Sequence, residues 1–115
     1  MKISAVTIVT KRMVTAVRFY QQVGFELHRG GENARFSTFR VGDHHLNLRL
    51  ADADEPAASS TLIIFAVDDV DETYRLLVER GLQPEFAPRD AVWGERYFHI
   101  RDPDGHPISF AEPLQ

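Results

Sequence analysis

Trp93-Gly94-Glu95-Arg96-Tyr97-Phe98-His99-Ile100-Arg101-Asp102-Pro103-Asp104-Gly105-His106-Pro107-Ile108-Ser109-Phe110 reads as a strand, a tight turn and a second strand. Within Asp102-Pro103-Asp104-Gly105, proline presets φ near the value an early turn position needs. Gly105 supplies the positive φ that closes the turn without a Cβ clash. The two strands therefore meet at Asp102 to Gly105.

Working outward, the chain repeats itself. Ala5-Val6-Thr7-Ile8-Val9 alternates as a strand. Thr10 can then cap a helix whose apolar face runs through Val14, Val17, Phe19, Tyr20 and Val23 and ends at Gly24, with Phe25 beyond. The same grammar returns 57 positions later. Leu62 to Val67 is a strand, Asp69 and Glu72 form a capping box, and Tyr74, Leu77 and Val78 give a helix an apolar face ending at Gly81, with Leu82 beyond. Ala5 thus matches Leu62 and Gly24 matches Gly81. After the first helix, strands are expected at Phe25 to Arg29, Phe36 to Val41 and His44 to Leu50; after the second, at Gln83 to Ala87, Arg96 to Arg101 and Pro107 to Ala111. Each half is β-α-β-β-β. The reading is a first module over 1–50, an Ala/Asp/Ser/Pro-rich linker over 51–60 and a second module over 61–115, neither half burying enough apolar surface to be stable alone.

Composition narrows the partners. In 115 residues with 43% hydrophobic content there is room for one compact domain or two small dependent modules. A formal charge of −4 disfavours nucleic acid and anionic membranes. A small neutral or cationic ligand fits better. With no cysteine, disulfides, thiolate metal sites and cysteine nucleophiles are excluded. No apolar run reaches membrane-spanning length, and the start of the chain lacks a cleavable secretory pattern, so a cytoplasmic location is expected.

The order and spacing of Arg18-Phe19-Tyr20, Val23-Gly24-Phe25, Phe65-Ala66-Val67-Asp68-Asp69-Val70 and Asp102-Pro103-Asp104-Gly105 resemble the vicinal oxygen chelate superfamily. That superfamily includes glyoxalase I, extradiol dioxygenases, fosfomycin-resistance enzymes and bleomycin-resistance proteins. The resemblance covers nearly the whole chain and implies an α+β fold, two tandem βαβββ modules forming a partial barrel around a central cavity.

In metal-dependent relatives, four inward positions hold a divalent ion, and the resemblance places them on Ala5, Asn47, Leu62 and Ser109. Ala5 and Leu62 have no lone pair to give. Asn47 and Ser109 offer neutral oxygen only, without the imidazole or carboxylate such an ion takes. No metal and no other cofactor is therefore expected, and the Lewis acid behind the family's lyase, isomerase and dioxygenase chemistry is missing. His44-His45 is no substitute, because neighbours on a strand point to opposite faces.

Alternation puts Leu46, Leu48 and Leu50 under the first helix and leaves His45, Asn47 and Arg49 facing the cavity; Ile108 and Phe110 similarly leave Ser109 and Ala111 inward. Arg49 can take a carboxylate or phosphate with its planar fork, or stand as an exposed arginine on an open sheet. Trp93 can lie flat on an aromatic ligand with Arg96 adding charge, or cover the barrel mouth or a subunit contact. Phe36, Phe39, Phe86 and Phe98 can face the cavity or belong to the core. Asp68, Asp69 and Asp71 read as a helix cap, and Tyr20 and Tyr74 as packing residues with a wet hydroxyl.

The expected function is a metal-free homodimer that binds a small organic molecule between its modules, as in antibiotic sequestration by the bleomycin-resistance branch, through His45, Asn47, Arg49, Trp93, Arg96 and Ser109. Two alternatives stay open. One is a lyase-, isomerase- or dioxygenase-type enzyme with displaced or non-metal groups, His45, His99 or Glu95 acting as acid or base. The other is a scaffolding subunit with an empty cavity.

Overall fold

The computed structural model describes residues 1–114. It divides into two compact units, one spanning Met1–Ala58 and one beginning at Ser59. The first holds β1 (Ala5–Thr10), α1 (Met13–Val23), β2 (Glu26–Arg29), β3 (Phe36–Val41) and β4 (His44–Leu50). The second holds β5 (Ile63–Ala66), α2 (Val70–Glu79), β6 (Arg89–Asp90), β7 (Glu95–Arg101) and β8 (Pro107–Pro113). Each unit builds its own sheet, ordered β1-β4-β3-β2 and β5-β8-β7-β6. The α+β class and the two tandem βαβββ modules are thus present. The segment expected as a linker associates with the first unit as far as Ala58, and Ala57 within it is buried.

In both modules the first strand runs parallel to the last, and the internal repeat extends to the register. Ala5 pairs with His45, which sets Asn47 two residues further along the same face. Ile63 pairs with Ile108, which leaves Leu62 and Ser109 in the same relation.

Apolar spacing explains how each helix docks. On α1, Met13, Ala16, Val17, Tyr20 and Val23 recur every three or four residues, and all are buried. They cover the face of the first sheet that carries Ile8, Phe39, Leu46 and Leu48, each of which contributes roughly 1.5–3 kcal/mol by leaving water. Tyr20 is the centre of this packing, with Phe19 edge-on at 5.0 Å, Phe25 stacked at 6.0 Å and Phe39 at 5.9 Å. At 0% exposure its hydroxyl is not wet, contrary to the expectation from its helix position. Gly24, at φ 113°, ends α1 with its own N–H and that of Phe25 both directed to the Tyr20 carbonyl.

Thr10 does not cap α1. It is still paired with Leu50 in β1, so the helix starts later, with Arg12 at the N-cap and no side-chain cap bond. Thr10 Oγ1 instead accepts the Arg12 N–H at 3.2 Å. The start of α2 is closed more fully. Asp69 accepts the Glu72 N–H at 3.1 Å, and Glu112 reaches over from β8 to accept the Val70 N–H at 3.1 Å. The return arm of the capping box is unused, because the Glu72 carboxylate is held by Arg75 at 3.0 Å.

No strand forms over Gln83 to Ala87. Pro84 and Pro88 bracket this stretch and lack the N–H groups a ladder needs, so a single backbone bond remains, from Glu85 N–H to the His99 carbonyl at 2.8 Å. Pairing resumes only at Arg89–Asp90, opposite Tyr97 and Arg96. On β7 and β8, Phe98, Ile100, Ile108 and Phe110 point to the helix side, where Tyr74 meets Phe98 edge-on at 5.3 Å. Phe39 and Phe98 therefore belong to the core beneath the helices. No helix among the described residues is long and apolar enough to cross a membrane.

Candidate functional site

Each sheet has a helix-covered face and a second face that carries the candidate chemistry; that second face is accessible on the first sheet, whereas on the second sheet its Tyr97, Ser109 and Ala111 are buried. On the first, His45, Asn47 and Arg49 of β4 lie between Ala5, Thr7 and Val9 of β1 and Arg40, Thr38 and Phe36 of β3. Asn47 Nδ2 donates to Thr7 Oγ1 at 3.1 Å. The His45 ring lies 5.9 Å from that of His28, and Arg40 donates to His28 Nδ1 at 3.1 Å. His44 points away from this pair and contacts the Ile3 carbonyl at 2.8 Å.

The Arg49 fork is already filled. Its two terminal nitrogens donate to Glu55 at 3.0 and 2.7 Å, a bidentate pair supplied by the segment just after β4. Arg49's hydrogen bonds, with help from the Asp52 N–H, hold the Glu55 carboxyl down at about 2, and the same contact raises the guanidinium pKa. A carboxylate ligand at Arg49 would have to displace one the chain provides. A separate cavity of about 390 Å³ lies at the opposite end of β4 from His45, between Arg12, Arg35 and Leu50.

The second face of the second sheet is different in kind: Tyr97, Ser109 and Ala111 on it are buried, while Arg89 and Trp93 beside it are exposed. Tyr97 and His99 share it with Ser109 and Ala111, since Tyr97 pairs with Ala111 and His99 with Ser109. Across these positions runs a chain of rings: Phe86 lies 5.2 Å from His99 and 5.6 Å from Tyr97, Tyr97 lies 5.2 Å from His99, and Trp93 lies 5.6 Å from Tyr97. Trp93 reaches this row because Gly94, at φ 98°, closes the β6–β7 loop, with its N–H on the Ala91 carbonyl at 3.2 Å. The indole stays 66% exposed while its N–H is held by Glu95 at 2.8 Å. Arg89 completes the group. Its guanidinium lies 3.9 Å from the Phe86 centroid and its Nε donates to the Tyr97 hydroxyl at 3.3 Å. Burial lowers the His99 pKa, and the charges of Arg89 and Arg101 act in the same direction against the opposing pull of Glu85.

Of the six residues expected to bind ligand, Ser109 falls on this second, largely buried face and Trp93 stands exposed in the loop beside Tyr97. His45, Asn47 and Arg49 fall on the first. Arg96 is on neither. It neighbours Tyr97 on β7 and so points to the helix side, bonded to Asp71 at 3.0 Å and Asp90 at 3.0 Å. The facing of Tyr97 and His99 was open to a sequence reading, because Phe98-x-Ile100 and Ile108-x-Phe110 mark the buried phase of the hairpin. Nothing in the sequence pointed to Arg89 or Glu55, which act from irregular backbone.

Ala5, Asn47, Leu62 and Ser109 are the four positions that the family resemblance assigns to a divalent ion. Ala5 with Asn47, and Leu62 with Ser109, share one face of adjacent parallel strands in their own modules, so the backbone arrangement suits a ligand pair. The side chains do not. Two are hydrocarbon, the Asn47 amide is engaged with Thr7, and no anionic donor balances the ion's charge. Asp69, Asp71 and Glu112 bring carboxylate oxygens within 4.8 Å of one another elsewhere. What draws them together is the start of α2 and Arg96.

Residues 2–110 match the family model of the glyoxalase/bleomycin resistance protein/dioxygenase superfamily. The chain belongs to this superfamily. Among its relatives, an uncharacterised protein, YraH, of Bacillus subtilis (strain 168) is 42% identical over 59 residues, which is 50% of this chain and 46% of that protein. The chain thus aligns with about half the length of the curated relative it matches. Two solved structures share the fold. A lactoylglutathione lyase from Agrobacterium tumefaciens has a TM-score of 0.79 at 24% identity, over 96% of this chain and 92% of the other. A bleomycin-binding protein, crystallised with bleomycin, has a TM-score of 0.78 at 23% identity, over 97% and 98%.

Proposed function

We propose that this superfamily member binds a small, planar organic molecule at the exposed Trp93 beside the sheet of its second module and does so without a metal. The observation that carries the reading is Trp93, two-thirds exposed and set against Tyr97 in the Phe86–Tyr97–His99 row. An exposed indole backed by fixed rings offers a flat apolar surface whose ordering cost was met in folding. Sequestration of an aromatic antibiotic fits this surface, and the fold shared with a bleomycin-binding protein supports it. Ala5 and Leu62 argue for the metal-free mode.

A single titration tests both parts. Trp93 is the only tryptophan, so an aromatic compound docking here changes the intrinsic emission. Trp93→Ala, followed by calorimetry, should weaken binding by about 1–3 kcal/mol. The wild-type curve should be unchanged by a chelator or by added Zn²⁺. Binding that ignores Trp93→Ala removes this face from consideration, and binding that needs metal removes the metal-free part.

One observation favours an enzymatic reading as the second choice. His99 pairs with Ser109 across the β7–β8 ladder, and burial lowers its pKa, favouring the neutral imidazole a general base needs. Turnover abolished by His99→Gln would establish it. We further read the chain as a cytoplasmic homodimer, an assembly that would cover the short edge strands β2 and β6 of its two sheets. Sedimentation should give twice the 13.1 kDa chain mass, and a monomer at micromolar concentration would remove that element.

A further inference from the structure

We infer that Arg89 is the anion-recognising group beside Trp93 and Tyr97 and that the ligand is a planar aromatic carboxylate. The inference rests on the binding reading above and narrows it to a chemical class.

The arginines beside the two sheets are not equivalent. Arg49 is neutralised by Glu55 at 2.7 Å and Arg101 by Glu85 at 3.3 Å. Arg89 forms no ion pair among the described residues; its one hydrogen bond runs from Nε to the uncharged Tyr97 hydroxyl. Both terminal nitrogens therefore keep their donors, in the fork geometry that matches a carboxylate. The guanidinium is also fixed before any ligand arrives, by the Phe86 face at 3.9 Å and the Tyr97 ring at 5.5 Å. A side chain with several rotatable bonds is thereby held without losing its charge, so little further entropy is lost on binding an anion.

The neighbours set the rest of the ligand. Tyr97 joins Arg89 to Trp93, so a ring stacked on the indole brings a substituent toward the fork. The Glu95 carboxylate sits at the Trp93 N–H end, where it disfavours an anion, so the charged group is directed to Arg89. An aromatic ring with a carboxylate on its edge satisfies both ends, and a neutral aromatic satisfies one.

Calorimetric titration of the full chain with 2-naphthoate and its neutral counterpart 2-naphthamide tests this. The wild type should bind the carboxylate at least about 10-fold more tightly, with an affinity that falls as salt rises, while the amide shows no salt dependence. Arg89→Gln should weaken the carboxylate about 10- to 100-fold and leave the amide within about 3-fold. Arg89→Lys, which keeps the charge but not the fork, should fall between the two, and it remains informative if the glutamine variant folds poorly. Equal wild-type affinities, or an Arg89→Gln loss shared by the amide, would overturn the inference while the binding reading stands. If neither compound binds the wild type, the binding reading fails and takes the inference with it.

Discussion

Replacing Asp102 by alanine should cost about 3–5 kcal/mol and lower the melting temperature by roughly 12–20 °C, read by far-UV circular dichroism. Asp102 is 5% exposed and its Oδ1 accepts two backbone N–H groups, those of Asp104 and His106, both at 2.9 Å. Its own carbonyl takes the Gly105 N–H at 2.9 Å, and its N–H donates to the His106 carbonyl at 3.1 Å. The carboxylate is thus the hub that makes Asp-Pro-Asp-Gly a turn. Alanine leaves two N–H groups, one of them in the buried His106, without their acceptor, and such orphaned donors cost more than the bonds themselves contribute. Asp102→Asn keeps an oxygen in place and should recover about half the loss. A loss under about 1 kcal/mol in the alanine variant would show that Pro103 and Gly105 suffice.

Gly30→Ala should be the next most damaging of these changes, at about 3 kcal/mol. Gly30 has φ 79°, and a Cβ there would run into the Phe36 carbonyl, the Ser37 Oγ at 2.6 Å and the Ser37 Cα at 2.8 Å. Two of these are backbone atoms of β3 and cannot swing aside. Ser37 is fully buried, and its Oγ accepts the Gly31 N–H at 2.9 Å and contacts Met13 Sδ at 3.4 Å, so displacing it disturbs the docking of α1. Gly42 is the control. Its φ is also positive, at 58°, but a Cβ there meets nothing within 4 Å. Gly42→Ala should cost only about 1 kcal/mol. Equal losses at the two positions, measured by urea denaturation, would place the whole effect in backbone strain and none in the close approach.

Both variants probe features that the chain announces in different ways. Asp-Pro-Asp-Gly is readable because its turn is made by residues within five positions of one another, and Gly24 and Gly81 are readable as helix ends for the same reason. Alternation in β4 and β8 is equally local, and it correctly separated Leu46 and Leu48 from His45, Asn47 and Arg49, and Ile108 and Phe110 from Ser109. The absence of a strand at Gln83 to Ala87 was legible too, in Pro84 and Pro88, once backbone donors are given weight over side-chain pattern. Tyr20 was misread because helix phase gives a direction but no depth. Its burial depends on Phe25 and Phe39, brought in by the C-cap and by β3.

By itself, then, the sequence determined the repeat, the two βαβββ modules and the helix-facing phase of their strands, since each follows from periodicity. Only the tertiary structure decided which charges are spent and which remain available. Arg49 looked free but is taken by Glu55, and Arg96 looked like a ligand contact but is turned to Asp71, 25 residues away. Arg89, which no pattern singled out, is held on Phe86 and Tyr97 with no carboxylate opposite it among the described residues. The physical reason is that an ion pair depends on a few ångströms between side-chain tips. That distance is set by where irregular segments such as 52–55 and 84–91 return to the sheet, and neither has a period from which it can be read.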